Sequence, residues 1–167
     1  IQSIQGVETV VPEGSVSLSG VSVANQTVGL PSLTATTPAY FDETGQENFS
    51  AGGAFEPGAR QVVLNQQAAT LFEANVSVGD TIVLRREGGE PIDATVVGIL
   101  EAPADTAFGP PSADIPQVYG PVDPFVQTRL ASPTTGERQR VDSRLTVVAV
   151  EYDRVDEVSD RVSTYLE

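Results

Sequence analysis

A chain of 167 residues is long enough for one sizeable core or two small lobes. It carries 23 acidic residues against 9 basic ones, for a net charge of -14, so association with a phosphate backbone or anionic headgroups would add like-charge repulsion. His, Cys, Lys and Met are all absent, which excludes Ser/His/Asp and Cys/His nucleophilic systems, Schiff-base lysines and His- or Cys-ligated zinc within the chain.

Ile1, Ile4 and Val7 fall at helical spacing, so the chain is expected to open on the end of a helix, halted at Gly6 and followed by a short strand over Glu8 to Val11. From Ser15 to Leu33, the pairs Val16 and Leu18, Val21 and Val23, and Val28 and Leu30 alternate with polar residues, which predicts two or three antiparallel strands. Tyr40, Phe41, Phe49 and Phe55 then gather around Gly45, Gly52 and Gly53. They read as loop residues plugging the edge of a small core, with stacking on a ligand as the alternative. The stretches AGGAF and EGGEP read as turns.

Arg60 to Leu100 is the most legible part of the chain. Gln61 to Leu64 reads as a strand, and Leu64, Ala68, Leu71 and Phe72 fall at the spacing of one buried helical face. Asn65 stands at the N-cap, where its side chain can accept from a free N–H of the first turn. Asp80 to Arg86 and Ile92 to Leu100 are rich in β-branched residues. The two glycines between them complete a hairpin.

Seven prolines between Pro103 and Pro133 leave room only for strands at Gln117 to Tyr119 and at Phe125 to Leu130. In the polar stretch that follows, Arg138, Arg140 and Arg144 are expected to neutralise carboxylates, with an anion site as the alternative. Leu145 to Val150 reads as a strand. Asp153 caps a final helix, with Asp156 and Glu157 in its first turn and Val155, Val158, Val162, Tyr165 and Leu166 along one face.

With Gly 15, Pro 12 and 6% aromatics, short strands are favoured over a helical bundle. The longest apolar runs, such as Val96 to Leu100, fall far below the roughly 20 residues that span a bilayer, and the absence of Met implies a piece processed or excised from a longer protein. The acidity and the missing lysine point to a halophilic source, because molar salt cuts the screening length to about 3 Å and quenches the self-repulsion. Cooperative thermal unfolding is therefore expected to be lost when salt is lowered from molar to tens of millimolar concentration. An unchanged melting temperature across that range would remove the halophile reading.

No phosphate-cradling glycine loop occurs, and Asp105, Asp114 and Asp123 lack the ligand spacing of a calcium loop, so neither cofactor nor metal is expected. Three Asn-x-Ser/Thr sequons, at Asn25, Asn48 and Asn75, become glycosylation sites if the chain lies outside the membrane.

VVLNQQAATLF, VGDTIVL and VVGIL, in that order and flanked by IQSIQGVETVVP at one end and LTVVAVEYDRVDEVSDRVSTYLE at the other, resemble the extracytoplasmic domain of MacB-like and FtsX-like ABC transporter permeases, of haloarchaeal origin given the acidity. That resemblance implies a β-rich α+β fold of two lobes. Residues 1–34 with 144–167 would form a βαβ-like membrane-proximal lobe, and residues 35–143 a central extracytoplasmic lobe. It further implies a non-catalytic body, tethered between membrane helices, that passes on motion driven by ATP hydrolysis in a cytoplasmic subunit, in a permease that works as a dimer. Relatives act in efflux, lipoprotein release or activation of wall hydrolases. Two readings from other classes stand beside it: a surface-layer or adhesion module, which would share the acidity and the sequons, and an extracellular hydrolase working through paired carboxylates.

Overall fold

The computed structural model describes residues 7–30, 32–44, 48–72, 75–86, 89–101, 115–125 and 143–149. It is a β-rich α+β fold with one mixed sheet. The elements run β1 (Val7–Val23), β2 (Gln26–Val28), β3 (Ser32–Thr36), α1 (Ala39–Glu43), β4 (Phe49–Gly52), β5 (Gln61–Asn65), α2 (Gln66–Thr70), β6 (Thr81–Arg86), β7 (Ile92–Leu100), β8 (Val118–Pro121), α3 (Val122–Phe125) and β9 (Ser143–Ala149).

Six of these strands close on themselves. β1 pairs β3, β3 pairs β8, β8 pairs β5, β5 pairs β7, β7 pairs β6, and β6 returns to β1. Only β3 with β8 and β5 with β7 run parallel. A ring that ends where it begins leaves its member strands no free edge at the paired residues, and its inward side chains must fill the space they enclose. They do: Val16, Leu18, Val21, Leu33, Ala35, Val62, Leu64, Ile82, Leu84, Ile92, Ala94, Val96 and Val118 share one buried cluster, with every ring strand contributing. Ala68 and Phe72 from α2 and its C-terminal flank, and Phe125 from α3, pack into the same cluster.

A second, smaller core forms from Phe41, Phe55, Val63, Leu100 and Tyr119, with Tyr40, Phe49 and Val97 against it. Because Val62 and Leu64 face one core and Val63 the other, β5 is buried on both sides, which is why its centre, VVL, reads as an apolar run and not as an alternation. β7 serves both cores differently. Ile92, Ala94 and Val96 point into the ring, but the β5–β7 register slips by one at Val62 and Val63, opposite Val96 and Gly98. Beyond that bulge the parity reverses, so that Ile99 packs on the first core and Leu100 in the second.

Several expectations are met. The β6–β7 hairpin pairs Leu84 with Ile92, and β7 has the expected bounds. The alternation after Ser15 resolves into the end of β1, then β2 and β3, all antiparallel. Others are corrected. Glu8 to Val11 is no short strand but the start of a 17-residue one that also contains Val7, and neither Pro12 nor Gly14 stops it. The segment expected as loop around the aromatics holds α1 and β4. The α2 helix ends at Thr70, so Leu71 is 39% exposed while Phe72 is buried. Phe125 belongs to the short α3, kinked at Asp123, instead of a strand. The opening helix residues Ile1 to Gly6, the final helix after Asp153, and Arg138 and Arg140 lie outside the described residues.

Candidate functional site

The arrangement centres on β1, which pairs with strands at both ends of its length. Between Val7 and Gly14 this strand pairs antiparallel with β9, near the C-terminal end of the chain; from Gly14 onward it pairs with β3 and then β6 of the ring. Gly14 is the joint. It is register partner to Ser143 on one side and to Ala35 on the other. One step beyond that last β3 pair, the Thr36 hydroxyl, 1% exposed, donates to the Pro12 carbonyl at 2.7 Å. A buried side chain of the ring thus ties itself to the part of β1 that carries β9. At the far end of β1, Arg85 Nε of β6 donates to Ser22 Oγ at 2.8 Å, and Ser22 in turn shares a 2.8 Å hydrogen bond with Thr27 of β2.

Asn65 holds the opposite side of the ring. As predicted it caps α2, its Oδ1 accepting from Ala68 N at 2.9 Å. It also does what its local sequence does not disclose. The same oxygen accepts from Gln117 N at 2.9 Å, Nδ2 donates to the Ile115 carbonyl at 2.7 Å, and the main-chain N–H donates to the Gln117 carbonyl at 3.1 Å. Four hydrogen bonds through one 8%-exposed residue fasten β5, α2 and the approach to β8 together.

The bulge in β7 carries the third constraint. Gly53 N donates to the Val97 carbonyl at 3.0 Å, and the main chains of β4 and β7 approach so closely that a Cβ on Gly52 would lie 2.0 Å from Val97 O, and one on Gly98 2.2 Å from Gly53 O. Gly52 also holds φ +69. AGGAF is therefore a strand end pressed against a bulge, and its first glycine has no substitute.

The aromatic cluster is packing. Phe41 meets Phe49, Phe55 and Tyr119 edge-on at 5.5 to 5.7 Å, and Phe41, Phe55 and Tyr119 are at most 3% exposed, so no ring face is left for a ligand to stack on among these three. The Tyr119 hydroxyl donates to Gln117 Oε1. Among the residues whose burial is described, the buried polar ones are Ser22, Thr36 and Asn65, and each carboxylate is exposed or half-buried. No cluster of acidic residues there could hold a metal. Asp123 is exposed on α3, and Asp105 and Asp114 lie outside the described residues. The sequon residues Asn25, Asn48 and Asn75 are all exposed and lie apart: in the β1–β2 turn, directly before β4, and between α2 and β6. No described helix is long and apolar enough to cross a membrane.

Two solved structures share this architecture. The chain is similar to the periplasmic region of MacB from Actinobacillus actinomycetemcomitans, at 22% identity and a TM-score of 0.65, over 99% of this chain and 68% of that one. It is also similar to a domain of a putative permease protein from Porphyromonas gingivalis, at 15% identity and a TM-score of 0.63, over 99% of this chain and 73% of that one. At such identities the likeness is one of fold. No curated protein matches the chain. Residues 1–165 match the family model of the MacB-like periplasmic core domain, and the chain belongs to that family. It is the extracytoplasmic part of a membrane protein, an ABC transporter permease.

Proposed function

We infer that this domain is a non-catalytic coupling body, which carries motion of the permease's membrane helices outward when a cytoplasmic ATP-binding subunit hydrolyses ATP. The observation that supports this reading is the double membership of β1. A displacement applied to the β1–β9 pair reaches the ring along one uninterrupted main chain, roughly 50–55 Å long at the rise of a strand, without crossing a loop. The ring itself resists deformation, since opening it requires breaking a whole ladder of hydrogen bonds at about 0.5–1.5 kcal/mol each while exposing its filled interior. Val7 and Ala149 are register partners, so the chain enters and leaves the described fold side by side, as a body anchored through both ends requires. Ile1 and Glu167 themselves lie outside the described residues.

In this reading residues 1–34 with 144–167, which hold the β1–β9 pair, belong to a membrane-proximal lobe and residues 35–143 to a central lobe, and the ring, which draws strands from both, joins them. The permease works as a dimer, and the acidic surface belongs to a halophilic source. Inserting Gly-Ser-Gly between Gly14 and Ser15 of the full permease separates the two halves of β1. Export is expected to be lost while ATP hydrolysis and membrane insertion persist. Export at the parental rate in a folded variant would remove the coupling role.

A further inference from the structure

Of the four asparagines in the chain, the fold uses one. Asn65 spends its carboxamide on three hydrogen bonds, whereas those of Asn25, Asn48 and Asn75 form none with a described residue. These three are also the ones that open an Asn-x-Ser/Thr triplet. With 28 Ser and Thr among 167 residues, four randomly placed asparagines would give fewer than one such triplet on average. All three are exposed, and their places are not arbitrary. Asn25 immediately precedes β2 and Asn48 immediately precedes β4, the two strands that terminate the sheet path, each with a single partner among the described residues. Asn75, at φ +38, stands in the segment that leads into β6.

We propose that Asn25, Asn48 and Asn75 are N-glycosylated, and that the glycans on Asn25 and Asn48 shield the open edges of β2 and β4 from pairing with another chain. The donor is an oligosaccharide carried on a polyprenyl phosphate. The carboxamide nitrogen forms a bond to the anomeric carbon as the bond from that carbon to the phosphate oxygen breaks; the phosphate leaves with the electron pair, and the amide proton passes to a base of the transferring enzyme. Transfer precedes folding. In the folded domain Thr27 Oγ1 is bonded to Ser22, Ser50 Oγ donates to the Ile99 carbonyl, and Val76, the middle residue of the third triplet, is 4% exposed, so none of the triplets is free to extend into an enzyme groove.

The test is mass spectrometry of peptides from the full-length permease isolated from its own membranes. Oligosaccharide mass is expected on all three asparagines. Thr27→Val, Ser50→Ala and Ser77→Ala are each expected to remove one glycan while the asparagine stays; if a hydroxyl variant folds poorly, Asn25→Gln, Asn48→Gln or Asn75→Gln, at exposed positions without side-chain bonds to described residues, is expected to remove that glycan by deleting its acceptor. Bare asparagines at the three positions, or mass that persists after the hydroxyl is removed, overturn the assignment. The Asn25→Gln/Asn48→Gln double variant is expected to self-associate in light scattering where Asn75→Gln does not; equal behaviour of the two overturns the shielding role.

Discussion

Replacing Asn65 by Ala is expected to lower stability by about 2–4 kcal/mol, although the residue touches no ligand and belongs to no catalytic set. Loss of the α2 cap alone costs about 1 kcal/mol. The rest comes from the partners left behind: the Gln117 N–H and the Ile115 carbonyl lose their bonds, at about 1 kcal/mol or more for each that water cannot reach. In a domain of this size that corresponds to a melting temperature lower by roughly 5–12 °C. Two further variants separate the contributions. Asn65→Ser retains a capping oxygen but is too short to reach Ile115, so it should fall between parent and Ala. Asn65→Asp retains both acceptor roles of Oδ1 but sets a second oxygen against the Ile115 carbonyl, now 2.7 Å from Nδ2, and should be no better than Ala. Urea unfolding of the four proteins checks the order. A cost below about 0.5 kcal/mol for Asn65→Ala, the level of an ordinary surface change, would show that the bridge to residues 115–117 contributes nothing.

The second large effect is expected from neighbouring glycines with opposite outcomes. In Gly52→Ala the new methyl would lie 2.0 Å from Val97 O, a main-chain atom with no freedom to swing away, at a φ of +69 that costs an alanine about 1 kcal/mol or more. With overpacking at about 1–3 kcal/mol, the total is about 2–4 kcal/mol, and β4 should detach from β7. Gly98→Ala meets Gly53 O at 2.2 Å and should act alike. Gly53→Ala, by contrast, meets nothing within 4 Å and lies outside the positive-φ set, so it should stay within about 0.5 kcal/mol of the parent. Amide exchange locates the damage: the Gly53 N–H, bonded to Val97 O, should lose protection in the first two variants and keep it in the third. Equal stability of Gly52→Ala and Gly53→Ala would contradict the close approach of the two strands.

What was legible in the sequence was what depends on near neighbours. The Asn65 cap, the start of α2, the β6–β7 hairpin with the bounds of β7, and the gathering of Tyr40, Phe41, Phe49 and Phe55 on a small core all follow from residues within a short stretch of one another. The rest depends on partners far along the chain. Nothing near Asn65 points to Ile115, 50 residues away, and Gly52 and Gly53 look like turn residues until Val97 and Gly98 are brought against them. The bulge in β7 is hidden because VVGIL is apolar throughout, so a reversal of parity leaves no trace in the pattern. The full length of β1 is hidden for another reason. Pro12 and Gly14 are ordinarily strand breakers, and only the presence of β9 on one side and β3 on the other makes a single 17-residue strand of that segment. The joint that defines the functional reading was thus the part least visible beforehand.

That reading stands or falls on whether the β1–β9 pair and the ring move as one. The domain contains no cysteine, so Asp93→Cys on β7 and Arg144→Cys on β9 introduce its only two thiols for nitroxide labels. Double electron–electron resonance in the full permease with its ATP-binding subunit then reports the distance between them. The distance distribution is predicted to be the same in the nucleotide-free and the hydrolysis-trapped states, while a label pair from Asp93→Cys to the ATP-binding subunit shifts between them. A change between positions 93 and 144 as large as that shift would mean that the domain bends at the joint and absorbs the motion it is proposed to deliver.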